Sequence, residues 1–209
     1  MAIKEMPWLH GSIDRFHGLM AAERLPHALI LPGREGDGAQ ILAQTLAKTA
    51  LCSAPELGYP CNACKSCLLH QADTHPDYMK LVPGGASVTV RVDDIRLLVD
   101  RFNSTAQISK RKVAVILHAE TMNTAAANAL LKTLEEPPGD SLLILVTEGT
   151  KPLLPTVRSR CQPLPMVRPN PDQLQAWVTS KGYSSKVSDD LLEAVDNQPL
   201  RLMQWIEED

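Results

Sequence analysis

Two runs in this chain, residues 113–117 and 142–146, are apolar at every position. A strand with one wet face alternates apolar and polar residues, so unbroken apolar runs of this length predict strands covered on both sides. A third apolar run, residues 26–32, ends in a glycine-rich turn and is followed over residues 39–51 by Ile41, Leu42, Leu46 and Leu51 at helical spacing. A further strand is predicted over residues 78–82. Asp93 reads as the N-cap of a helix reaching Asn103, with Ile95, Leu98, Val99 and Phe102 on its apolar face. Asn123 and Thr124 open an alanine-rich helix that runs to Glu136 and stops at Pro137-Pro138-Gly139. Strands and helices alternating in this rhythm predict the α/β class, a parallel sheet with helices on both faces.

The pattern breaks at Pro163, Pro165, Pro169 and Pro171, after which two helical segments are predicted, residues 171–181 and 188–207. This divides the chain into an α/β domain, residues 1–168, and a small helical domain, residues 169–209. The formal charge of −3 is unevenly spread: residues 1–169 carry 18 basic and 16 acidic side chains (+2), residues 170–209 carry 3 and 8 (−5). An autonomous nucleic-acid binder normally shows a strong basic excess, so any contact with DNA must be local or shared. Lys110, Arg111 and Lys112 form the one basic triplet, directly before a strand, where they also read as a solvated turn. The apolar runs are far shorter than the roughly 20 residues a membrane helix needs. Residues 1–10 carry no secretion signal, so a reducing cytoplasm is the expected compartment.

Cys52, Cys61, Cys64 and Cys67 fall close together, whereas Cys161 stands apart. In a reducing compartment, thiolates at two-residue spacing suit tetrahedral Zn²⁺, with Gly58, Pro60 and Asn62 supplying the turns. A disulfide pair and an iron–sulfur cluster are the other readings of the spacing. A closed site of four cysteines leaves no open coordination position, so the zinc is expected to be structural.

Gly33 to Gln40 lies where a phosphate-binding loop belongs, between strand and helix, with glycines at the first and sixth motif positions, Gly33 and Gly38, and a further Gly36 between them. That motif needs Lys at its seventh position to reach the phosphates and Ser or Thr at its eighth to hold Mg²⁺. Ala39 and Gln40 stand there instead. The strand over residues 113–117 continues as Leu117-His118 rather than ending in a magnesium-binding acid. Glu35 and Asp37 are expected to add negative charge where a triphosphate would lie. Read alone, the segment is equally a tight turn, and helix amides there retain some capacity for an anion. His118 reads as a structural strand-end residue.

The run from Asn128 to Pro138, the Arg158-Ser159-Arg160-Cys161 segment, the four cysteines, His75-Pro76-Asp77 and the eroded phosphate loop together resemble the clamp-loader branch of the AAA+ family. Within it the chain is similar to the delta-prime subunits of bacterial DNA polymerase III. The resemblance covers essentially the whole chain. It implies an AAA+ domain with a zinc-binding insertion followed by a helical lid, in a five-subunit assembly that opens a sliding clamp onto primed DNA. It implies partners: the gamma/tau ATPase subunits, delta, the clamp and primed DNA. It implies that Arg160 is an arginine finger offered in trans to a neighbour's ATP, with Arg158, Ser159 and Cys161 in support, and that Thr147 is a vestigial nucleotide-sensing position. A guanidinium forking onto a γ-phosphoryl transition state makes that role chemically reasonable.

On this reading the chain is a non-hydrolysing stator that binds no ATP, an accessory subunit of a DNA polymerase holoenzyme whose catalytic centre lies in another chain. Delta-prime subunits continue into a third, helical collar domain that this sequence lacks, so the fragment is expected to be monomeric. A nucleotide-binding or weakly active ATPase subunit of the same complex is the alternative. A zinc-ribbon nucleic-acid module is a more distant one, and the near-neutral charge opposes it.

Overall fold

The computed structural model describes residues 3–84, 89–148, 152–183 and 188–208. A 3₁₀ turn, Ile3–Glu5, leads into α1 (Pro7–Ala21), β1 (Ala28–Pro32), α2 (Ala39–Leu51), α3 (Lys65–Gln71), β2 (Tyr78–Leu81), α4 (Val92–Phe102) and β3 (Lys112–Ile116). After a second 3₁₀ turn, Ala119–Thr121, come α5 (Thr124–Glu135), β4 (Ser141–Thr147), α6 (Pro155–Arg158), β5 (Gln162–Pro163), α7 (Pro171–Ser180), α8 (Asp189–Ala194) and α9 (Pro199–Glu208). The strands form one five-stranded sheet in the order β2-β3-β4-β1-β5, with every pairing parallel.

The sheet explains why its strands are apolar throughout. Leu29, Leu31, Val113, Val115, Leu142, Ile144 and Val146 enter a core with α1, α2 and the C-terminal helices. The intervening Ala28, Ile30, Ala114, Ile116, Leu143 and Leu145 enter a second core with α4, α5 and α6. Successive side chains point to opposite faces, so two buried faces require an apolar residue at every position.

Two expected boundaries shift. The helix assigned to Asp93 starts at Val92, with Arg91 in the cap position. Asp93 and Asp94 occupy its first turn, where carboxylates meet the positive end of the helix dipole. The continuous helix expected over residues 188–207 is two helices, broken where Asp196 and Asn197 adopt φ of 48° and 53°. Pro199 then opens α9, and the residue before a proline disfavours the helical conformation. Sequence patterning assigned neither α1 nor α3. Beyond Pro169 the described elements are all helical, and Leu174, Trp177, Leu192, Val195 and Leu202 join the same core as α1 and α2. Trp177 packs edge-on to Trp8 at 4.9 Å, and Lys181 pairs with Glu5 at 2.7 Å.

The His75-Pro76-Asp77 segment ties the cysteine region to the sheet. The Asp77 carboxylate is fully buried and accepts the amides of Gln107, Ile108 and Ser109 at 2.7, 2.8 and 2.8 Å. His75 Nε2 lies 2.7 Å from the Ser66 hydroxyl, which donates to Leu51 O at 2.7 Å. Burial alone would raise the Asp77 carboxyl, but the three amides outweigh it and hold the group below its ordinary value. A carboxylate depressed on folding contributes stability above its unfolded pKa and loses it as pH falls through the folded value. Asp77→Asn is therefore expected to cost about 1–3 kcal/mol near neutrality. In thermal melts its gap from the parent should close below about pH 4; a constant gap across that range would show the charge to be irrelevant.

Candidate functional site

Three groups of predicted residues occupy three places on the fold. Cys52 follows the last turn of α2, Cys64 is the N-cap of α3 and accepts the Cys67 amide, and Cys67 lies in that helix's first turn. Cys61 reaches them through two left-handed residues, Leu57 at φ 48° and Gly58 at φ 82°. Gly58 is pressed against α1, where a Cβ would meet Ile13 Cγ2 at 2.8 Å. The Sγ atoms stand 3.4 Å (Cys52–Cys61), 3.8 Å (Cys52–Cys64) and 4.0 Å (Cys61–Cys67) apart, all four within 4.8 Å of one another. A regular tetrahedron with metal–sulfur bonds of about 2.3 Å has edges of about 3.8 Å, so the four thiols can hold one tetrahedral ion. None is in a disulfide. The amides of Cys61 and Cys64 point at Cys52 and Cys61 sulfurs at 3.4 Å, as suits thiolates. The four thiols do not shift alike: against the opposing effect of burial, hydrogen bonds from Ser53 bring the Cys64 thiol down to about 5, and backbone hydrogen bonds lower Cys61, whereas burial raises Cys52 and Cys67.

The glycine loop joins β1 to α2 through left-handed glycines and is tied down by its own chain. Gly36 and Gly38 adopt φ of 87° and 96°, and Gly33 donates to Thr147 O at 2.8 Å. Thr147 thus ends β4 directly beside the loop. Asp37 does not face the cleft as expected. Its side chain is buried, accepts the Arg34 amide at 3.1 Å and pairs with Arg168 at 2.8 Å. Burying a carboxylate requires such a partner, and Arg168 supplies it. Leu200 donates to Gly36 O at 3.0 Å, and Arg34 pairs with Asp196, so the C-terminal helices clasp the loop from outside.

Beside the loop lies a cleft of about 520 Å³ lined by Glu35, Gly36, Gly38, Gln40, Glu148 and Arg201 among others. Sequence reasoning missed two carboxylates here. Gln40 Nε2 donates to Glu148 Oε2 at 3.0 Å, and Glu120 Oε1 accepts the Glu148 amide at 3.3 Å. His118, at φ 49°, stands 3.9 Å from each carboxylate. Burial raises the Glu148 carboxyl, opposed by the Gln40 hydrogen bond. Both acids lie outside any recognised motif, one in a 3₁₀ turn and one after a strand. Their convergence is visible only once β3 and β4 are paired.

Arg158 ends the single turn of α6, and Ser159, Arg160 and Cys161 follow it. Cys161 is buried, its thiol pushed up to about 11 by that burial, so it anchors the segment. Arg158 and Ser159 are exposed. Arg160 donates through NH1 to Thr156 O at 2.9 Å and pairs through NH2 with Glu135 at 2.7 Å. Gln162 pairs in register with Leu29, at the start of β1, whereas Gly33 follows the end of β1. Arg160 and the glycine loop thus lie at opposite ends of two neighbouring parallel strands, Arg160 before β5 and the loop after β1, about six strand residues or roughly 20 Å apart along the strand direction. The basic triplet is partly consumed internally. Lys112 is buried in β3 and donates to Arg101 O at 2.7 Å, and Arg111 pairs with Asp140 at 3.1 Å.

A family described as DNA polymerase III, delta subunit, matches residues 9–170. The chain is 38% identical over 167 residues to DNA polymerase III subunit delta' of Escherichia coli, covering 80% of this chain and 50% of that protein. The chain belongs to the DNA polymerase III delta-prime family. The delta' subunit of Pseudomonas aeruginosa is 47% identical over 135 residues, 65% of this chain and 41% of that protein. This chain thus spans about half the length, or less, of these relatives. Its fold is that of AAA+ proteins: a gamma subunit-related protein of Thermotoga maritima superposes with a TM-score of 0.62 at 20% identity, over 93% of this chain and 58% of that one. Among the described residues no helix is long and apolar enough to cross a membrane.

Proposed function

We propose that this chain serves a replicative clamp loader in the cytoplasm as a stator. In this role it hydrolyses no ATP itself and presents Arg160 to the nucleotide of a neighbouring gamma/tau subunit. The observation that carries the reading is the position of Arg160, at the opposite end of the strands from the chain's own glycine loop and partly exposed beside α5. A guanidinium there is out of reach of any nucleotide at Gly33–Gly38 of the same chain, so its phosphate partner must come from another subunit. Ser159 and Arg158 flank it, and Cys161 fixes the backbone beneath it.

The glycine loop supports the non-hydrolysing half of the reading. Ala39 offers no cation, and Gln40 is engaged by Glu148 instead of a metal. Glu35 and Glu148 add negative charge to the cleft. Zinc fits the four thiols in a structural role, since its coordination would be complete without substrate or water. Delta, the sliding clamp and primed DNA are the other partners of the assembled loader. The alternative, a nucleotide-binding subunit, is favoured by the cleft itself, which Arg201 lines opposite the start of α2.

Calorimetric titration of the zinc-replete chain with Mg-ATP and a non-hydrolysable analogue separates the two. No heat of binding up to millimolar concentration is expected. Micromolar affinity would overturn the stator reading in favour of a nucleotide-regulated subunit.

A further inference from the structure

We infer that Glu135 is a positioning residue for Arg160, holding the guanidinium pre-aimed at the neighbouring subunit's nucleotide. The inference rests on the finger reading above and assigns a role to a side chain outside the Arg158–Cys161 segment.

Glu135 is the last residue of α5. The carbonyl end of a helix favours cations, so local helix energetics give no reason for a carboxylate there. Its partner is Arg160, with Glu135 Oε1 2.7 Å from NH2 and side chains 49% and 36% exposed. Exposed ion pairs contribute little to stability, so this one is poorly explained as a brace for the fold. What it does is fix an orientation. Arg160 NH1 donates to Thr156 O at 2.9 Å and lies 3.4 Å from Ser159 Oγ, so with Glu135 the guanidinium is gripped by three acceptors.

A free arginine side chain samples many rotamers, and freezing one of them at the moment of reaction costs entropy. Here the rotamer is set in advance by α5 and α6. The three acceptors use three of the five N–H donors of a guanidinium, leaving two for phosphate oxygens. Glu135 can also sense the packing of α5, because Leu130 and Leu134 of the same helix are buried against the sheet. A shift of that helix would move the finger with it.

The test uses the full-length polypeptide in a reconstituted loader, with Glu135→Ala, Glu135→Gln, Arg160→Ala and the Glu135→Ala/Arg160→Ala double variant. Displacing a positioned group by about 1 Å can cost up to 10²-fold in rate. Glu135→Ala is expected to lower kcat for ATP about 10-fold with KM unchanged. Glu135→Gln, which keeps an acceptor, should recover most of the rate. In the Arg160→Ala background Glu135→Ala should change nothing further. Unchanged turnover in Glu135→Ala, or an equal loss in both backgrounds, would overturn the inference while leaving the finger intact. A rise in turnover would overturn it too, showing the carboxylate competing with phosphate. If Arg160→Ala alone leaves turnover unchanged, the finger reading fails and this role for Glu135 fails with it.

Discussion

Strong chelation under reducing conditions is expected to release one zinc ion per chain and to disorder residues 52–67 while the sheet persists. The segment has almost no apolar interior: Leu57 is 77% exposed and Leu68, just beyond it, 54%. Its left-handed turn at Leu57 and Gly58 and its contact with α1 through Gly58 are expected to hold only while the four sulfurs converge on one point. A closed tetrathiolate site contributes on the order of 10 kcal/mol of apparent folding free energy in zinc-finger peptides, more than this stretch can gain from burial. The loss should spread one step further, because Ser66 and Ser109 share His75 and Leu51 O. Hydrogen exchange should therefore rise over residues 52–67 first and over residues 104–109 next, with β1, β3 and β4 remaining protected. Cys64→Ser should reproduce the pattern without chelator. Freshly purified, reduced protein containing no metal, or exchange unchanged by chelation, would remove zinc from the account.

The legible parts of this fold are those where one physical requirement fixes the residues. A strand buried on both faces admits only apolar side chains, and residues 113–117 and 142–146 gave β3 and β4 to within a residue of each end. The stretch from Ala39 to Leu51 is bounded by a left-handed glycine and by Cys52 of the four-cysteine cluster, and α2 has those ends. Asn123 accepts the Ala126 amide, so the cap that marked α5 in the sequence is also its cap in space. Helices whose limits depend on tertiary partners were harder to see. Trp8, Leu9, Ile13 and Phe16 make α1 a buried helix, yet its partners are α2 and Trp177, remote in sequence. The break between α8 and α9 lies at Asp196 and Asn197, polar residues that also fit a helix surface; it is the contact of Leu200 with Gly36 that places α9.

The same distinction separates what was visible of the candidate sites. Cysteine spacing encodes a local geometry, and the four sulfurs converge as their spacing predicts. The charge at the glycine loop is legible only in part, because it depends on long-range pairing: Glu35 lines the cleft, but Asp37 does not. Asp37 is neutralised by Arg168, 131 residues away, whereas Glu148 reaches Gln40 from 108 residues away. No window of sequence contains either pair.

Arg160→Ala in the full-length polypeptide is expected to leave folding and assembly intact and to cut ATP turnover at the neighbouring site by about 10³-fold or more, the usual value of a finger supplied in trans. The two halves of that expectation come from different physics. Arg160 is 36% exposed and its pair with Glu135 faces solvent, so deleting it should change stability by no more than about 1 kcal/mol. In the proposed role the same side chain would meet the developing negative charge of a transition state at the neighbour's site, where an oriented cation is worth far more than at a surface. Arg160→Lys should recover little, because an ammonium cannot present two parallel donors to a phosphoryl group or keep the contacts to Thr156 and Glu135 together. A melting temperature equal to the parent's combined with collapsed turnover would thus separate a chemical role from a structural one. Turnover equal to the parent's would mean that Arg160 is a surface arginine bound to Glu135 and nothing more. The neighbour's ATP would then have to be stabilised by residues of its own chain.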